Sequence, residues 1–172
     1  MKESILQRSW IRWTSTGIVL AIMIAIFVFS GQGQEQSEGL SFPIGDAVIG
    51  SGTLDAVKEK VEESGESFWL FVQRLVRKLA HVVIFMALGG SLLICLESWT
   101  GKRKLNGLWS AVIGTLYAAS DEWHQSMVPG RSGSVEDTLL DAAGVIAGVL
   151  FAALAVWLIK RRMKKKAEKS RC

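Results

Sequence analysis

Polar side chains that could bind or transform a ligand lie at the ends of long apolar runs in this chain. They include basic, acidic and amide groups, namely Lys78, His81, Asp121, Glu122, Gln125, Arg131, Asp137 and Asp141. Lysine and arginine bind anionic head groups, while carboxylates can orient the hydroxyl groups of a ligand. Imidazole and carboxylate groups can also act as general acids and bases. We therefore predict a ligand-binding site, with His81, Asp121 and Glu122 as the candidates for catalysis.

Four apolar runs must position these side chains, and they cover residues 13–29, 79–96, 105–120 and 139–159. A helix needs about 20 residues, within a range of about 17–25, to cross a membrane. The run at 105–120 is shorter, but Tyr117 and Trp123 suit a membrane interface, so we expect its helix to continue past Ser120. The alternative, a soluble bundle of apolar helices, is disfavoured because the hydrophobic residues, 49% of the chain, are concentrated in these runs. We predict an all-α fold, a four-helix transmembrane bundle.

The distribution of basic residues predicts the orientation of this bundle. Lys2, Arg8 and Arg12 precede the first run, and more basic residues follow the second run and fill the tail. Under the positive-inside rule, both termini are cytoplasmic in a multi-pass protein of the cell membrane. The predicted divisions are a cytoplasmic N-terminus at 1–12, a membrane domain at 13–159 and a cytoplasmic polybasic tail at 160–172. The tail indicates an anchor to anionic lipid, and we predict no nucleic-acid partner.

The segment before the second run has its own pattern. Between Leu54 and Leu79, apolar residues recur at helical spacing, while Lys and Glu occupy the other face. This pattern predicts an extracytoplasmic amphipathic helix, broken near Gly65, that leads into the second span. Such a helix serves either as an interfacial packing element, which we favour, or as a lid over the polar site. The first run is predicted to be retained as a span, because it exceeds the apolar core of about 7–15 residues typical of a signal peptide.

Helical spacing places the polar residues on stripes of small residues, since positions three and four apart share a face. The stripes are Lys78, His81, Phe85 and Gly89; Gly107, Gly114, Ala118, Asp121 and Gln125; and Asp137, Asp141, Gly144 and Gly148. Small residues allow close helix packing in lipid, and charged residues there tend to face the bundle interior. We therefore expect the three stripes to face one another, with their polar ends forming a pocket open to the outside.

Other interpretations of the polar group stay open. Its charges nearly balance, so a lattice of ion pairs that only holds the helices together is a serious alternative. No metal or cofactor is predicted, because no metal-binding spacing such as His-x-x-x-His occurs, although His81 and the carboxylates could converge on an ion. His124 is expected to face a different side of its helix from Asp121 and is interpreted as an interface residue. No Gly-x-Ser-x-Gly motif supports nucleophilic catalysis.

Several strings in the chain resemble those of the VanZ-like family. They are Arg77-Lys78-Leu79-Ala80-His81, Ser120-Asp121-Glu122-Trp123-His124-Gln125, Val128-Pro129-Gly130-Arg131-Ser132-Gly133-Ser134, Asp137 with Gly144, and Phe29-Ser30-Gly31-Gln32. The resemblance extends over about residues 12–158 and implies a bacterial envelope membrane protein, from a family whose founding member is associated with low-level teicoplanin resistance. The family brings no settled biochemical activity. The motif often reads His-Phe-x-Glu-Tyr, whereas Val82 to Phe85 follow His81 here, and Asp141 stands where many members carry Asn.

These observations lead to three hypotheses about function. In the first, the protein binds a lipid-linked or anionic envelope component in the outward pocket and modulates susceptibility to glycopeptides such as teicoplanin. Its partners would be membrane lipid and a cell-wall precursor or surface polymer. In the second, it is a membrane enzyme that acts on an envelope lipid through Asp121, Glu122 and His81. In the third, it is a structural partner of another membrane protein.

Overall fold

The regular elements of the described residues are all α-helices, which confirms the predicted all-α class. The structure, a computed structural model, describes residues 9–31, 55–63, 67–100, 103–129 and 133–169. We label the helices in these ranges in chain order. They are α1 (Ser9–Ser30), α2 (Asp55–Glu63), α3 (Phe68–Thr100), α4 (Arg103–Ser126) and α5 (Val135–Lys169).

Three helices are long and apolar enough to cross a membrane, and they are α1, α3 and α5. Few of the side chains in their apolar windows are buried inside the protein, so most of the apolar surface faces outward. Leu79, Leu139 and Phe151 are each more than half exposed, for example. Water would oppose this exposure and lipid favours it, so the chain is a membrane protein. The helix α4 does not meet the same criterion, and the predicted fourth span is therefore not confirmed.

The helices extend beyond the apolar runs that indicated them. The helix α3 has 33 residues and, at about 1.5 Å per residue, is about 50 Å long, which exceeds the roughly 30 Å hydrocarbon core of a bilayer. It already begins at Phe68, so the predicted amphipathic segment is divided between α2 and the first turns of α3. Its predicted place outside the membrane stays a prediction, and the expected break at Gly65 lies outside the described residues. The run at 105–120 continues in α4 to Ser126, as expected.

Glycines bring the backbones of α3 and α5 into direct contact. A β-carbon added at Gly148 would collide with the carbonyl oxygen of Met86, and one added at Gly89 would collide with the carbonyl oxygen of Val145. A β-carbon at Gly144 would lie 2.8 Å from the carbonyl oxygen of Val82. These contacts confirm that the predicted stripes of α3 and α5 face each other.

The helix α4 approaches the same junction, because a β-carbon at Gly114 would lie 2.5 Å from a methyl group of Val145. Val145 is fully buried in a core that includes Phe85, Leu88 and Ala118. The first helix adds Val19 and Ile26 to this core and packs mainly against α3. The helix α3 contacts each of the other described helices and is therefore the centre of the bundle.

Candidate functional site

Two polar contacts join α3 to α5 at one end of the bundle. Lys78 and Asp137 form an ion pair at the rim, where the Lys78 side chain is 43% exposed. One turn deeper, the His81 Nδ1 atom lies 3.4 Å from the Asp141 Oδ2 atom, and Asp141 is almost fully buried. The polar ends of the two predicted stripes thus meet, in a partly exposed outer pair and a buried inner pair.

Asp121 of α4 connects α1 and α4 at this end of the bundle. Its Oδ2 atom accepts hydrogen bonds from Ser30 Oγ of α1 and from Gln125 Nε2 of α4, each 2.9 Å long. Its Oδ1 atom is buried and has no hydrogen-bond partner among the residues that the structure describes. An anionic oxygen buried without a partner is costly, so Asp121 retains an unused capacity to bind a cation or a donor.

Three of these side chains converge on one point. Each of His81, Asp121 and Asp141 offers a nitrogen or oxygen atom, and these atoms lie within 4.8 Å of one another. They come from α3, α4 and α5, and both carboxylates are buried. Two carboxylates this close in an apolar bundle require a shared proton or a neighbouring cation, because their mutual repulsion is poorly screened there. The arrangement can therefore bind a cation or exchange a proton.

Glu122 has a different position from Asp121, although the two are adjacent in sequence. Its Oε1 atom accepts a 2.7 Å hydrogen bond from the backbone amide of Ser134, directly before α5 begins. Glu136 and Asp137 occupy the first turn of that helix. Acidic groups stabilise a helix N-terminus by binding its free amides and opposing its dipole. Glu122 therefore fixes the start of α5, which in turn places Asp137 and Asp141.

A small cavity opens among these residues, with a volume of about 20 Å³. Its lining comprises Arg77, Lys78, His81, Glu122, Gln125, Asp137, Leu140 and Asp141. All predicted ligand-binding residues are included except Asp121, which does not line the cavity, and Arg131, which lies outside the described residues. A volume of roughly 10–15 Å³ is enough for one water molecule, so the cavity can hold a water molecule or an ion but not a whole head group.

His124 belongs to a contact between α1 and α4. Its ring stacks on that of Phe27 with the centroids 4.3 Å apart and the planes 3° from parallel. His124 and Asp121 are three residues apart on α4, and both contact the end of α1, through Phe27 and Ser30, so the expectation that they face different sides of the helix is wrong. His124 is nevertheless not among the three converging groups. Its place at a membrane interface stays a prediction.

Ser30 and Glu97 are among the buried polar residues that sequence reasoning missed. Ser30 had been quoted only as part of a motif, yet it is 1% exposed and binds Asp121. Its position at the end of the first apolar run, the boundary that the other site residues share, was the available signal. Glu97 is buried towards the other end of α3, with Lys160 Nζ 3.7 Å from its Oε2 atom. Extending the stripe of Phe85 and Gly89 by two further steps of four residues would have reached it.

Apolar helices with buried polar groups gathered at one end define a helical integral membrane protein. The model of the VanZ/LLP1 family matches residues 16–158, which is most of the chain, and the protein belongs to this family. This membership confirms the resemblance drawn from the motifs. Neither the comparison with curated proteins nor that with solved structures gave a match.

Proposed function

We propose that α4 is a fourth membrane span. Its 24 residues give a length of about 36 Å, which suffices for a hydrocarbon core of roughly 30 Å. Its polar residues Asn106, Ser110 and Asp121 are buried, whereas Leu108 and Leu116 are more than 60% exposed. A polar interior and an apolar exterior are typical of a helix that packs with others in lipid. Hydropathy alone underestimates such a helix, because its polar groups never meet the lipid.

Within the same proposal, both termini are cytoplasmic and the polar site faces the outside of the cell membrane. The support is the distribution of basic residues, since α5 continues to Lys169 and its side chains from Lys160 to Lys166 are exposed. Basic residues of this kind remain on the cytoplasmic side and attract anionic lipid. The end with Lys78 and Asp137, which lies at the other end of α5, is then extracytoplasmic.

At that end the protein binds the anionic head group of an envelope lipid or of a lipid-linked cell-wall precursor, and so alters the access of glycopeptides such as teicoplanin. The observation that carries this proposal is the order of charges with depth. Lys78 is half-exposed at the rim, with Arg77 lining the same cavity, whereas Asp121 and Asp141 are buried below. A phosphate would bind the rim cations, and the head group would lie across the mouth, because the cavity admits only one small group.

A pair of lysine variants tests this proposal. Lys78 and Lys160 are similarly exposed, at 43% and 45%, and each pairs with an acid, but they lie at opposite ends of the bundle. We expect native mass spectrometry of detergent-purified protein with added phosphatidylglycerol to show a discrete adduct on the wild type and on Lys160→Ala. The adduct is lost on Lys78→Ala. Equal adducts on both variants, with a lower unfolding temperature for Lys78→Ala, would instead indicate an ion-pair lattice that only stabilises the bundle.

A second candidate function is an enzyme that acts on an envelope lipid. The convergence of His81 with Asp121 and Asp141 favours it, because general acid–base catalysis needs titratable groups gathered at one point. Glu122 is a weaker candidate, since its carboxylate already binds the Ser134 amide. Turnover of a short-chain lipid phosphate by the wild type and by His124→Gln, but not by His81→Gln, would support an enzyme. Equal turnover by the two histidine variants would exclude His81 as the catalytic group.

A further inference from the structure

We propose that His81, Asp121 and Asp141 bind one divalent transition-metal ion, of which Zn²⁺ fits best, beneath the rim of the polar site. This proposal goes beyond head-group binding, because the ion would be held by buried groups of the protein whether or not a lipid binds above it. The donor set combines one imidazole with two carboxylates, which is a combination that zinc accepts.

The distance between His81 and Asp141 suits two ligands of one ion. The Nδ1 and Oδ2 atoms are 3.4 Å apart, whereas a hydrogen bond between such groups is usually about 2.9–3.0 Å long. Two atoms bound at about 2.0–2.1 Å to a tetrahedral ion lie about 3.3–3.4 Å from each other. The ligand atom of Asp121 lies within 4.8 Å of the ligand atoms of His81 and Asp141. Side-chain rotations would therefore bring all three atoms to coordination distance from one ion.

The unpartnered oxygen of Asp121 is an independent indication of a ligand. Asp121 is only 3% exposed, and its Oδ1 atom has no hydrogen-bond partner within the described part of the chain. Its Oδ2 atom accepts two hydrogen bonds, from Ser30 and Gln125, which fix the orientation of the carboxylate. Metal-binding carboxylates and histidines are commonly held by such neighbouring hydrogen bonds. A cation at Oδ1 would satisfy this oxygen of Asp121, which has no hydrogen-bond partner within the described residues.

The charge of the two buried carboxylates also favours a divalent ion. When both are ionised, Asp121 and Asp141 place two negative charges at positions that are only 3% and 2% exposed. Lys78, which lines the cavity beside Asp141, already forms an ion pair with Asp137 at the rim, and a protonated His81 would supply a single positive charge. A divalent ion bound by a neutral imidazole and two carboxylates makes the buried group neutral, which an apolar surrounding favours.

The cavity gives such an ion an open coordination position. Its lining includes His81 and Asp141, and its volume of about 20 Å³ admits one water molecule or one ligand oxygen. Three protein ligands with one exchangeable position are the arrangement of zinc sites that bind or activate a ligand, whereas purely structural zinc sites have four protein ligands. A phosphate oxygen of a head group at the rim could occupy that position.

Zinc binding by two matched histidine variants tests the proposal, because the chain contains only His81 and His124. The protein is purified in detergent with a histidine-free affinity tag, stripped with a chelator and titrated with Zn²⁺. Calorimetry and elemental analysis should show one ion per chain on the wild type and on His124→Gln. Both His81→Gln and Asp141→Asn should bind at least tenfold more weakly. Ser30→Ala, which removes a positioning group, should weaken binding by about tenfold.

A cysteine variant keeps the proposal testable if the other variants fold poorly. His81→Cys retains a metal ligand, so Co²⁺ should produce a thiolate-to-cobalt charge-transfer absorption that the wild type, which already contains Cys95 and Cys172, does not show. No stoichiometric zinc on the wild type, or equal affinity in His81→Gln, would overturn the proposal and leave the imidazole as the counter-ion of the carboxylates. Zinc binding without any phosphatidylglycerol adduct would support the metal site and contradict head-group binding. A phosphatidylglycerol adduct without zinc binding would contradict only the metal site.

Discussion

His81 and Asp141 lie 60 residues apart in the chain, yet their Nδ1 and Oδ2 atoms are 3.4 Å apart inside the bundle. This approach depends on how closely α3 and α5 pack just below it, where Gly144 allows the α5 backbone to contact Val82. The same close packing places the pair of Lys78 and Asp137 one turn nearer the surface. The assembly of the polar site therefore depends directly on the close packing of α3 against α5.

The first prediction concerns that packing. We expect Gly148→Ala to lower the free energy of unfolding by about 1–3 kcal/mol, the usual cost of overpacking, because the new methyl group would collide with the Met86 carbonyl. Gly17→Ala is the control, since nothing lies within 4 Å of a β-carbon there, and alanine favours the helix by up to about 1 kcal/mol. Unfolding is followed by circular dichroism as a denaturing detergent is added. Equal stabilities of the two variants would mean that α3 and α5 do not pack through Gly148.

The second prediction concerns the link from α1 to the site. Ser30→Ala removes a buried hydrogen bond to Asp121, and we expect a loss of about 1–3 kcal/mol because a carboxylate oxygen is then less well satisfied. Ser120→Ala removes an exposed hydroxyl whose only bond among the described contacts is to the Tyr117 carbonyl of its own helix, so its effect should stay within about 0.5 kcal/mol. The same unfolding assay measures both. A Ser30→Ala protein as stable as the wild type would show that α1 is not held through Asp121.

The sequence predicted the helices and the faces on which their polar residues lie, but not every residue that meets in the site. The stripes through His81 and Asp141 were visible because helical spacing depends only on neighbours along the chain. The part played by Ser30 was not visible, because hydropathy does not indicate which helices touch or how far each is rotated. The same limit applies to Glu122, whose bond to Ser134 depends on how the chain returns from α4 to α5.

The third prediction separates an ion pair from a helix-dipole effect. Asp137 and Glu136 both lie in the first turn of α5, so neutralising either weakens the interaction with the helix dipole to a similar extent. Only Asp137 pairs with Lys78 among the described contacts. We expect Asp137→Asn to be less stable than Glu136→Gln by about 0.5–1 kcal/mol, a small difference because the pair is partly exposed and screened. The difference should shrink in high salt, and a difference that salt leaves unchanged would contradict an ion pair.

The fourth prediction concerns the topology, and it decides whether α4 crosses the membrane. In a Cys95→Ala, Cys172→Ala background, single cysteines replace Thr100 and Met127, which are exposed residues near the two ends of α4. If α4 spans the membrane with the polar site outside, a membrane-impermeant thiol reagent labels Met127→Cys in intact cells. It labels Thr100→Cys only after the cells are permeabilised, because the basic residues beside it belong to the cytoplasmic side. Labelling of both cysteines in intact cells would mean that α4 does not cross. The reverse pattern would keep four spans but place the polar site on the cytoplasmic side. A head group would then have to enter the site from the cytoplasm.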